Sequence, residues 1–281
     1  MRILYATDGS EASIAAAAVL EKVARRGPTS VAVLSVVRDV PSPHPEDRSA
    51  ADAIVAATVA RLRDAGFAAE GAVVEGEPAP TIVDAAIAHD VVAIGAGSKG
   101  WLDRVLLGSV SSAVLHAAER SVLVVHRAPG AADRSPVVVG TDGSPDAAFA
   151  LDVLTDLLDP AACELQVLSV AHMPTPTVGA GLGIGAAAVY TPELEEALRE
   201  GAERHAAEAA ATLRDRGFNV RDEVVMGSAG LQLLERSRDV GADLVVVGSR
   251  GHGAVERAVL GSVSDTVARH APAALVARPP R

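Results

Sequence analysis

The chain has 281 residues, a formal net charge of −11 at pH 7 and a hydrophobic fraction of 49%. This length predicts two domains, and the apolar fraction is sufficient for a core in each. Only 2% of the residues are aromatic. Because nucleic acids are bound by an excess of Lys and Arg and by stacking on aromatic rings, the composition argues against a nucleic-acid partner.

The single cysteine, Cys163, excludes an internal disulfide and a metal cluster built on cysteines. It begins an apolar run, so we expect a buried thiol rather than a reactive one. The sequence has no run of about 18 apolar residues that could span a membrane. Its first residues, Met-Arg-Ile-Leu-Tyr, enter a strand without the features of a signal peptide. We therefore expect a cytoplasmic protein with no membrane partner.

Apolar β-like runs and helical segments alternate along the first half of the chain. The pattern predicts strands near residues 2–7, 30–37, 69–75, 91–95 and 121–126, and helices near 11–26, 46–65, 79–89 and 109–118. Strands that alternate with helices are typical of a parallel sheet with helices on both faces. The first half is therefore predicted to be an α/β domain.

The second half repeats this order. Its predicted strands lie near residues 136–141, 164–171, 220–226, 243–247 and 273–277, and its helices near 145–158, 191–216, 229–240 and 262–270. A linker of residues 129–135, which contains Pro129 and Gly130, breaks the pattern between the halves. We therefore predict two domains, residues 1–128 and residues 136–281.

Short motifs recur in both halves. Thr7-Asp8-Gly9-Ser10 closes the first predicted strand, and Thr141-Asp142-Gly143-Ser144 closes its counterpart 134 residues later. The segment LGSVS at 107–111 recurs at 260–264, 153 residues later. The offset grows because the second half carries an extra segment, 172–190. This segment and the proline-rich residues 41–45 follow equivalent strands, and we interpret both as surface connectors, with a lid or a partner contact as the alternative.

The loop after the fourth strand of the second half carries the clearest chemistry. Gly248, Gly251 and Gly261 allow a positive φ or a close backbone approach, which a polyphosphate would require. Ser262 and Asp265 have the spacing of a capping box, so we expect Ser262 to be the N-cap of the last helix. The free N–H groups of its first turn, with nearby hydroxyls, would suit an anion. The alternative is a loop whose glycines serve only its turns.

Together these motifs resemble those of the tandem universal stress proteins. In each half Thr-Asp-Gly-Ser closes the first strand, and a loop of the Gly-x2-Gly-x9-Gly-Ser type follows the fourth. The resemblance covers the chain apart from the linker and residues 172–190. It implies two Rossmann-like (adenine nucleotide α-hydrolase-like) α/β domains, each with a five-stranded parallel sheet of order 3-2-1-4-5. For the ATP-binding branch of the family, it also implies an adenine nucleotide at the carboxyl edge of the sheet.

The resemblance implies a complete nucleotide site in the second half. The matching residues are Thr141, Asp142, Val170, Gly248, Arg250, Gly251, Gly261, Ser262, Val263 and Ser264. Asp142 would lie near the nucleoside and Val170 against adenine, while the loop would hold phosphate and ribose. For Arg250, a phosphate contact and a solvated side chain both stay open. Asp265 raises an objection, because a carboxylate at a helix N-terminus competes with phosphate unless Mg²⁺ or Arg250 offsets it.

The first half departs from the family pattern. Its matching residues are Thr7, Asp8, Val36, Gly95, Gly108, Ser109, Val110 and Ser111. However, Gly97 stands at the position of Arg250, and Ser98 stands at the position of Gly251. If this position needs a backbone conformation that serine resists, nucleotide binding is weaker here. We therefore expect the second-half site to be the stronger of the two.

Other nucleotide and metal motifs are not supported. Gly95, Gly97 and Gly100 have the spacing of a dinucleotide fingerprint, but they follow the fourth strand instead of the first. The sequence has no Gly-x4-Gly-Lys-Ser/Thr motif, and its eight histidines show no metal-binding spacing.

The sequence therefore predicts a regulatory protein that binds ATP, with or without Mg²⁺, and that has no catalytic residue. A slow Mg²⁺-dependent ATPase and a nucleotide-free interaction module are the alternatives. The resemblance also implies that the apolar last strands, 122–125 and 274–277, meet and join the halves as a pseudo-dimer within the chain. Pairing of whole chains into a homodimer is left open.

Overall fold

The computed structural model describes residues 1–27, 29–38, 45–97, 107–172, 191–252 and 260–280. Four features singled out in the sequence lie outside these residues: Ser98, Gly100, the proline-rich segment up to residue 44, and the insertion from residue 173 to residue 190. Within the described residues, no helix is long and apolar enough to cross a membrane.

The first half alternates strands and helices as predicted. Its elements are β1 (Arg2–Ala6), α1 (Glu11–Val23), β2 (Ser30–Val37), α2 (Pro45–Asp64), β3 (Ala68–Glu75), α3 (Pro78–Ala86), β4 (Val91–Gly95), α4 (Ser109–Ala117) and β5 (Ser121–Val125). The main differences from the prediction are α1 and α3, which each end three residues early.

The second half repeats this order. Its elements are β6 (Ser135–Thr141), α5 (Pro145–Leu157), β7 (Cys163–Ala171), α6 (Pro192–Asp215), β8 (Asn219–Met226), α7 (Ala229–Asp239), β9 (Leu244–Gly248), α8 (Ser262–His270) and β10 (Ala273–Ala277). Every bound agrees with the prediction to within one residue. β6 begins one residue inside the predicted linker.

All ten strands form one sheet, in the order β3-β2-β1-β4-β5-β10-β9-β6-β7-β8. Within each half the strands are parallel and follow the order 3-2-1-4-5, which confirms the predicted fold. β5 and β10 pair antiparallel, with Leu123 opposite Leu275. The two apolar edge strands therefore cover each other, and β3 and β8 become the outer edges of the sheet.

Helices cover both faces of the sheet. α1, α2, α5 and α6 contribute to the buried cluster on one face, while α3, α4, α7 and α8 contribute to the cluster on the other. The first cluster runs through both halves and includes Cys163, which is fully buried. Burial raises the pKa of the Cys163 thiol to about 12. The predicted buried thiol is therefore confirmed.

A contact between the halves explains the early end of α1. Ala24 is extended and forms an isolated antiparallel bridge with Leu158, and the Arg25 N–H donates to the Leu157 carbonyl at 2.8 Å. The chain therefore leaves the helix to bond with the other half. The sequence pattern contains no sign of this long-range contact, which is why it predicts a helix that continues to residue 26.

A buried ion pair ties the first half to the second and to the linker. Lys22 Nζ on α1 lies 2.8 Å from Asp243 Oδ2 and donates to the Gly130 carbonyl at 2.8 Å. The Gly130 N–H donates to Asp243 Oδ1 at 2.6 Å, and Ser135 Oγ donates to Oδ2 at 2.8 Å. Burial opposes ionisation of Asp243, but these hydrogen bonds outweigh it, so its pKa lies below the usual value. The linker is thereby held against both halves.

Candidate functional site

The carboxyl edge of the second half contains a topological switch point. β6 and β9 are parallel neighbours, with Val139 opposite Val246. The chain leaves β6 for α5 on one face of the sheet and leaves β9 for α8 on the other. Such a crevice between diverging loops is where open α/β sheets bind ligands. β7 borders it, because Ser169 lies opposite Thr141, and Val170 follows on β7 at the same edge.

Asp142 forms the turn that follows β6. Its Oδ1 accepts the Ser144 N–H at 3.0 Å, and Ser144 Oγ accepts the Ala147 N–H at 3.2 Å as the N-cap of α5. This is the ordinary turn and cap that an Asp-Gly pair after a strand indicates. The second carboxylate oxygen, Oδ2, faces the loop after β9, where it accepts the His252 N–H at 3.3 Å. Asp142 therefore links the two loops that border the crevice.

Close approach, rather than a positive φ, explains the glycines of the β9–α8 loop. A Cβ on Gly248 would lie 2.6 Å from the backbone carbon of Asp146, in the first turn of α5. A Cβ on Gly251 would lie 2.5 Å from Asp142 Oδ2. Neither glycine, nor Gly261, has a positive φ. The two loops are therefore in contact, and a side chain at Gly251 would displace the Asp142 carboxylate.

The predicted capping box at the start of α8 is wrong. The N-cap is Gly261, which makes no side-chain cap bond, and Ser262 is the first helical residue. Ser264 Oγ lies 2.8 Å from the carbonyl oxygens of Gly261 and Ser249 and donates to them. The hydroxyl of Ser264 is therefore directed to the backbone, whereas Ser262 is exposed. α4 begins in the same way after Gly108, and the Ser111 hydroxyl again donates to the N-cap carbonyl.

The carboxylate of Asp265 is held by Arg269 instead of by the helix N-terminus. Arg269 Nε donates to Asp265 Oδ2 at 2.7 Å, and the ion pair raises the pKa of the Arg269 guanidinium. His116 Nε2 of the first half lies 3.5 Å from Asp265 Oδ1. The objection to a phosphate at this helix is therefore reduced without Mg²⁺, because Arg269 offsets the negative charge.

Arg250 is paired with a residue that the sequence did not single out. Its Nε and Nη2 donate to the carboxylate of Asp146 at 3.0 Å and 3.3 Å, and Ser249 Oγ donates to the same carboxylate at 2.7 Å. Arg250 is therefore not a freely solvated side chain but half of an ion pair. Its side chain remains 21% exposed. Asp146 lies on α5, 104 positions before Arg250, so no local sequence pattern indicates that the two side chains meet.

Two histidines stand at the edge of the site. His252 Nε2 lies 3.0 Å from the carbonyl oxygen of Asp142, and the His252 ring centroid lies 6.2 Å from that of His205 on α6. The His205 ring approaches the β6–α5 turn so closely that a Cβ on Gly143 would overlap it. Neither histidine belongs to a motif that marks it as a site residue in the sequence. At the equivalent turn of the first half, Ile54 contacts Gly9.

In the first half, the described residues of the predicted site lie at the equivalent edge of the sheet. Asp8 Oδ1 accepts the Ser10 N–H at 3.0 Å, and a Cβ on Gly108 would overlap the Gly97 carbonyl oxygen. Burial opposes ionisation of Asp8, but hydrogen bonds from Ser10 outweigh it and lower its pKa. A cavity of about 640 Å³ borders Asp8, Gly97 and Arg127. The described residues of this site therefore border an open cavity.

The apolar site residues lie at matching places in the two halves. Val36 and Val170 are partly buried near the ends of β2 and β7, and Val110 and Val263 are partly buried in the first turns of α4 and α8. All four pack against the same buried cluster. Among the described residues, no group of three or more His, Cys, Asp and Glu side chains is placed to hold a metal ion.

Two Rossmann-like halves in one sheet, each with a glycine-rich loop at its carboxyl edge, define a tandem α/β protein. The sequence profile of the universal stress protein family matches residues 1–126 and 134–277, so the chain belongs to this family.

Known relatives and a solved structure agree with this assignment. A universal stress protein of Mycobacterium tuberculosis, Rv2005c, is 30% identical over 287 residues, which cover 94% of this chain and 92% of that protein. One from Mycolicibacterium smegmatis is 34% identical over 207 residues, which cover 72% of this chain and 66% of that protein. The crystal structure of a universal stress protein from Archaeoglobus fulgidus has the same fold, with a TM-score of 0.69, 22% identity and coverage of 99% and 98% of the two chains.

Proposed function

We propose that this universal stress protein binds an adenine nucleotide at the carboxyl edge of its sheet, with ATP in the second-half site. The observation that carries the proposal is the contact between the two loops of the switch point. Asp142 Oδ2 accepts the His252 N–H at 3.3 Å, and Gly251 leaves no room for a side chain against the same oxygen. The acidic turn and the glycine loop, which lie 110 positions apart in sequence, thus border one crevice.

The chemistry of the crevice suits a nucleoside polyphosphate. The first turn of α8 has free N–H groups that favour an anion, and the exposed Ser262 hydroxyl lies beside them. Arg250 brings a cation to the same loop. Partly buried Val170 offers an apolar contact for a base at the end of β7. Along the edge, in the strand order β9, β6, β7, an anion-binding, an acidic and an apolar region therefore follow one another.

We further propose that the protein binds ATP without turning it over. The Ser264 hydroxyl donates to backbone carbonyls, and the Ser249 hydroxyl, which donates to the Asp146 carboxylate, is buried beneath the loop while that carboxylate is paired with Arg250. Neither serine is therefore placed as an accessible nucleophile with a free general base. Mg²⁺ would be held mainly by phosphate oxygens, since the described residues form no cluster of three ligands for it. The cytoplasmic location and the domain boundaries stay predictions from sequence.

Two measurements test the proposal. Mass spectrometry of an extract of freshly purified protein is expected to find an adenine nucleotide, and titration calorimetry is expected to detect ATP binding that Gly251→Val weakens. Absence of a nucleotide, together with no binding at millimolar ATP, would favour the nucleotide-free interaction module. Release of phosphate from labelled ATP and Mg²⁺ would favour the slow ATPase only if Ser262→Ala and Gly251→Val remove it.

A further inference from the structure

Asp146 has no part in the site that the sequence predicts, yet three hydrogen bonds from the β9–α8 loop converge on its carboxylate. Ser249 Oγ and Arg250 Nε donate to Oδ2, and Arg250 Nη2 donates to Oδ1. Only 12% of the Asp146 side chain is exposed. A carboxylate that is this buried and satisfied on both oxygens fixes the position of the groups that donate to it.

The first half lacks all three side chains. Ala12, Ala96 and Gly97 stand where the second half has Asp146, Ser249 and Arg250. The backbone is nevertheless arranged in the same way in both halves. Gly95 lies against the first turn of α1, and Gly248 lies against the first turn of α5. The ion pair is therefore an addition to a shared backbone arrangement and is not required by the fold.

In the first half, the positions equivalent to Asp146 and Arg250 border a cavity. Ala12 and Gly97 are among the residues that line this cavity of about 640 Å³. The pair therefore places a charged group where the first half has open volume. Since Arg250 keeps 21% of its side chain exposed, a ligand in the crevice can reach it from solvent.

The geometry leaves Arg250 able to bind a second anion. A guanidinium carries five N–H groups, and Asp146 takes one from Nε and one from Nη2. Within the described residues, Nη1 makes no hydrogen bond. The backbone of Arg250 lies beside the start of α8, with its Cα 3.4 Å from the place of a Cβ on Gly261. An anchored guanidinium loses less side-chain entropy when it binds a phosphate than a mobile one does.

We propose that Asp146 is a positioning residue for Arg250, and that the anchored guanidinium binds the phosphate chain of the nucleotide in the second half. This inference rests on the proposed function and adds a recognition element that the first half does not have. Asp146 itself touches no ligand. Its effect is therefore specific to ligands that carry phosphate and depends on the presence of Arg250.

The residues of the first half supply the test variants. Asp146→Ala and Arg250→Gly reproduce positions 12 and 97, and each is made in the full chain with Asp8→Ala to weaken the first site. Titration calorimetry with ATP is expected to show about a tenfold loss of affinity for each variant, the size of one charge-assisted hydrogen bond. The double variant is expected to bind no more weakly than Arg250→Gly alone. Adenosine, which has no phosphate, is expected to bind all variants equally.

Asp146→Asn is the matched variant, because it keeps an acceptor for Ser249 but removes the charge that holds Arg250. Its affinity for ATP is expected to lie between those of the parent and Asp146→Ala, and it carries the test if Asp146→Ala does not fold, as thermal unfolding will show. Unchanged ATP binding, additive losses in the double variant, or equal losses for ATP and adenosine would overturn the inference while the proposed function stands. A parent chain that does not bind ATP overturns both.

Discussion

The side chains of Lys22 and Asp243 form an ion pair, with 2.8 Å between Nζ and Oδ2, that joins α1 of the first half to the start of β9 in the second. Their side chains are 18% and 5% exposed, so the pair is largely shielded from water. Removal of one partner from such a pair leaves a buried charge without compensation. The association of the two halves therefore depends on polar contacts as well as on the β5–β10 pairing.

The first prediction concerns this ion pair. Lys22→Met removes the cation and is expected to lower the free energy of unfolding by about 3 kcal/mol, because the Asp243 carboxylate stays buried. The measurement is urea denaturation at neutral pH. Arg61→Met is the matched control: it removes a more exposed pair with Glu21 on α1 and is expected to cost less than about 1 kcal/mol. Equal losses in the two variants would contradict the interpretation.

Asp243 is expected to make stability depend on acid pH. Its pKa in the folded chain lies below the usual value because the hydrogen bonds from Lys22, Gly130 and Ser135 outweigh the opposing effect of burial. A carboxyl group with a lowered folded pKa stabilises the protein above its unfolded pKa, and this stabilisation is lost as the pH falls through the folded value. We therefore expect the free energy of unfolding to decline below about pH 4.

Urea denaturation between neutral and acid pH checks this expectation. In Asp243→Asn the stability at neutral pH is expected to be lower and its decline on acidification smaller. Asp239→Asn, a change of an exposed residue at the end of α7, is the control and is expected to follow the parent. Parallel pH profiles for Asp243→Asn and the parent would show that another group governs the acid response.

The two helices that border the site are expected to respond differently to loss of a serine. Ser144 caps α5 by accepting the Ala147 N–H at 3.2 Å, so Ser144→Ala is expected to cost about 1 kcal/mol. Ser262 follows the N-cap Gly261 and caps nothing, so Ser262→Ala is expected to change stability by less than about 0.5 kcal/mol. Thermal unfolding measures both. A loss of stability in Ser262→Ala as large as that in Ser144→Ala would show that Ser262 does cap α8.

The ranking of the two sites also has a direct test. A side chain at position 251 would press on Asp142 Oδ2, which lies 2.5 Å from the place of a Cβ on Gly251. Gly251→Val is therefore expected to weaken ATP binding at least about tenfold, or ~1.4 kcal/mol. Ser98→Val, at the equivalent position of the first half, is expected to have a smaller effect. Titration calorimetry compares the two, and equal losses would refute the prediction that the second half is the stronger site.

Most of the fold could be predicted from the sequence because its signals are local and occur twice. Apolar strand runs and helix-forming segments indicated each element and a parallel sheet, and the resemblance carried by the repeated motifs implied the strand order. The capping box was wrong for a local reason, because α8 begins one residue earlier than a cap at Ser262 requires and Asp265 pairs with Arg269 one turn further on. A second error occurred where a distant segment decides the local structure: α1 ends early because Ala24 bonds to Leu158 in the other half.

The candidate site could be predicted only in part for the same reason. The loop glycines and Asp142 belong to recognisable motifs, so the resemblance indicated them. Asp146 and His205 lie on helices whose approach to the loops depends on the tertiary structure. A comparison of the two halves contains a weak signal for Asp146, because Ala12 and Gly97 differ from Asp146 and Arg250 together.

The antiparallel pairing of β5 with β10 sets the relative direction of the two crevices. Strands within each half are parallel, so reversal at this one junction reverses the whole second half. The carboxyl ends of the strands of the two halves therefore lie at opposite edges of the sheet, and so do the two sites. A single nucleotide therefore cannot contact both sites. Any effect of a ligand in one crevice on the other crevice must pass through the shared sheet and the helices packed on it.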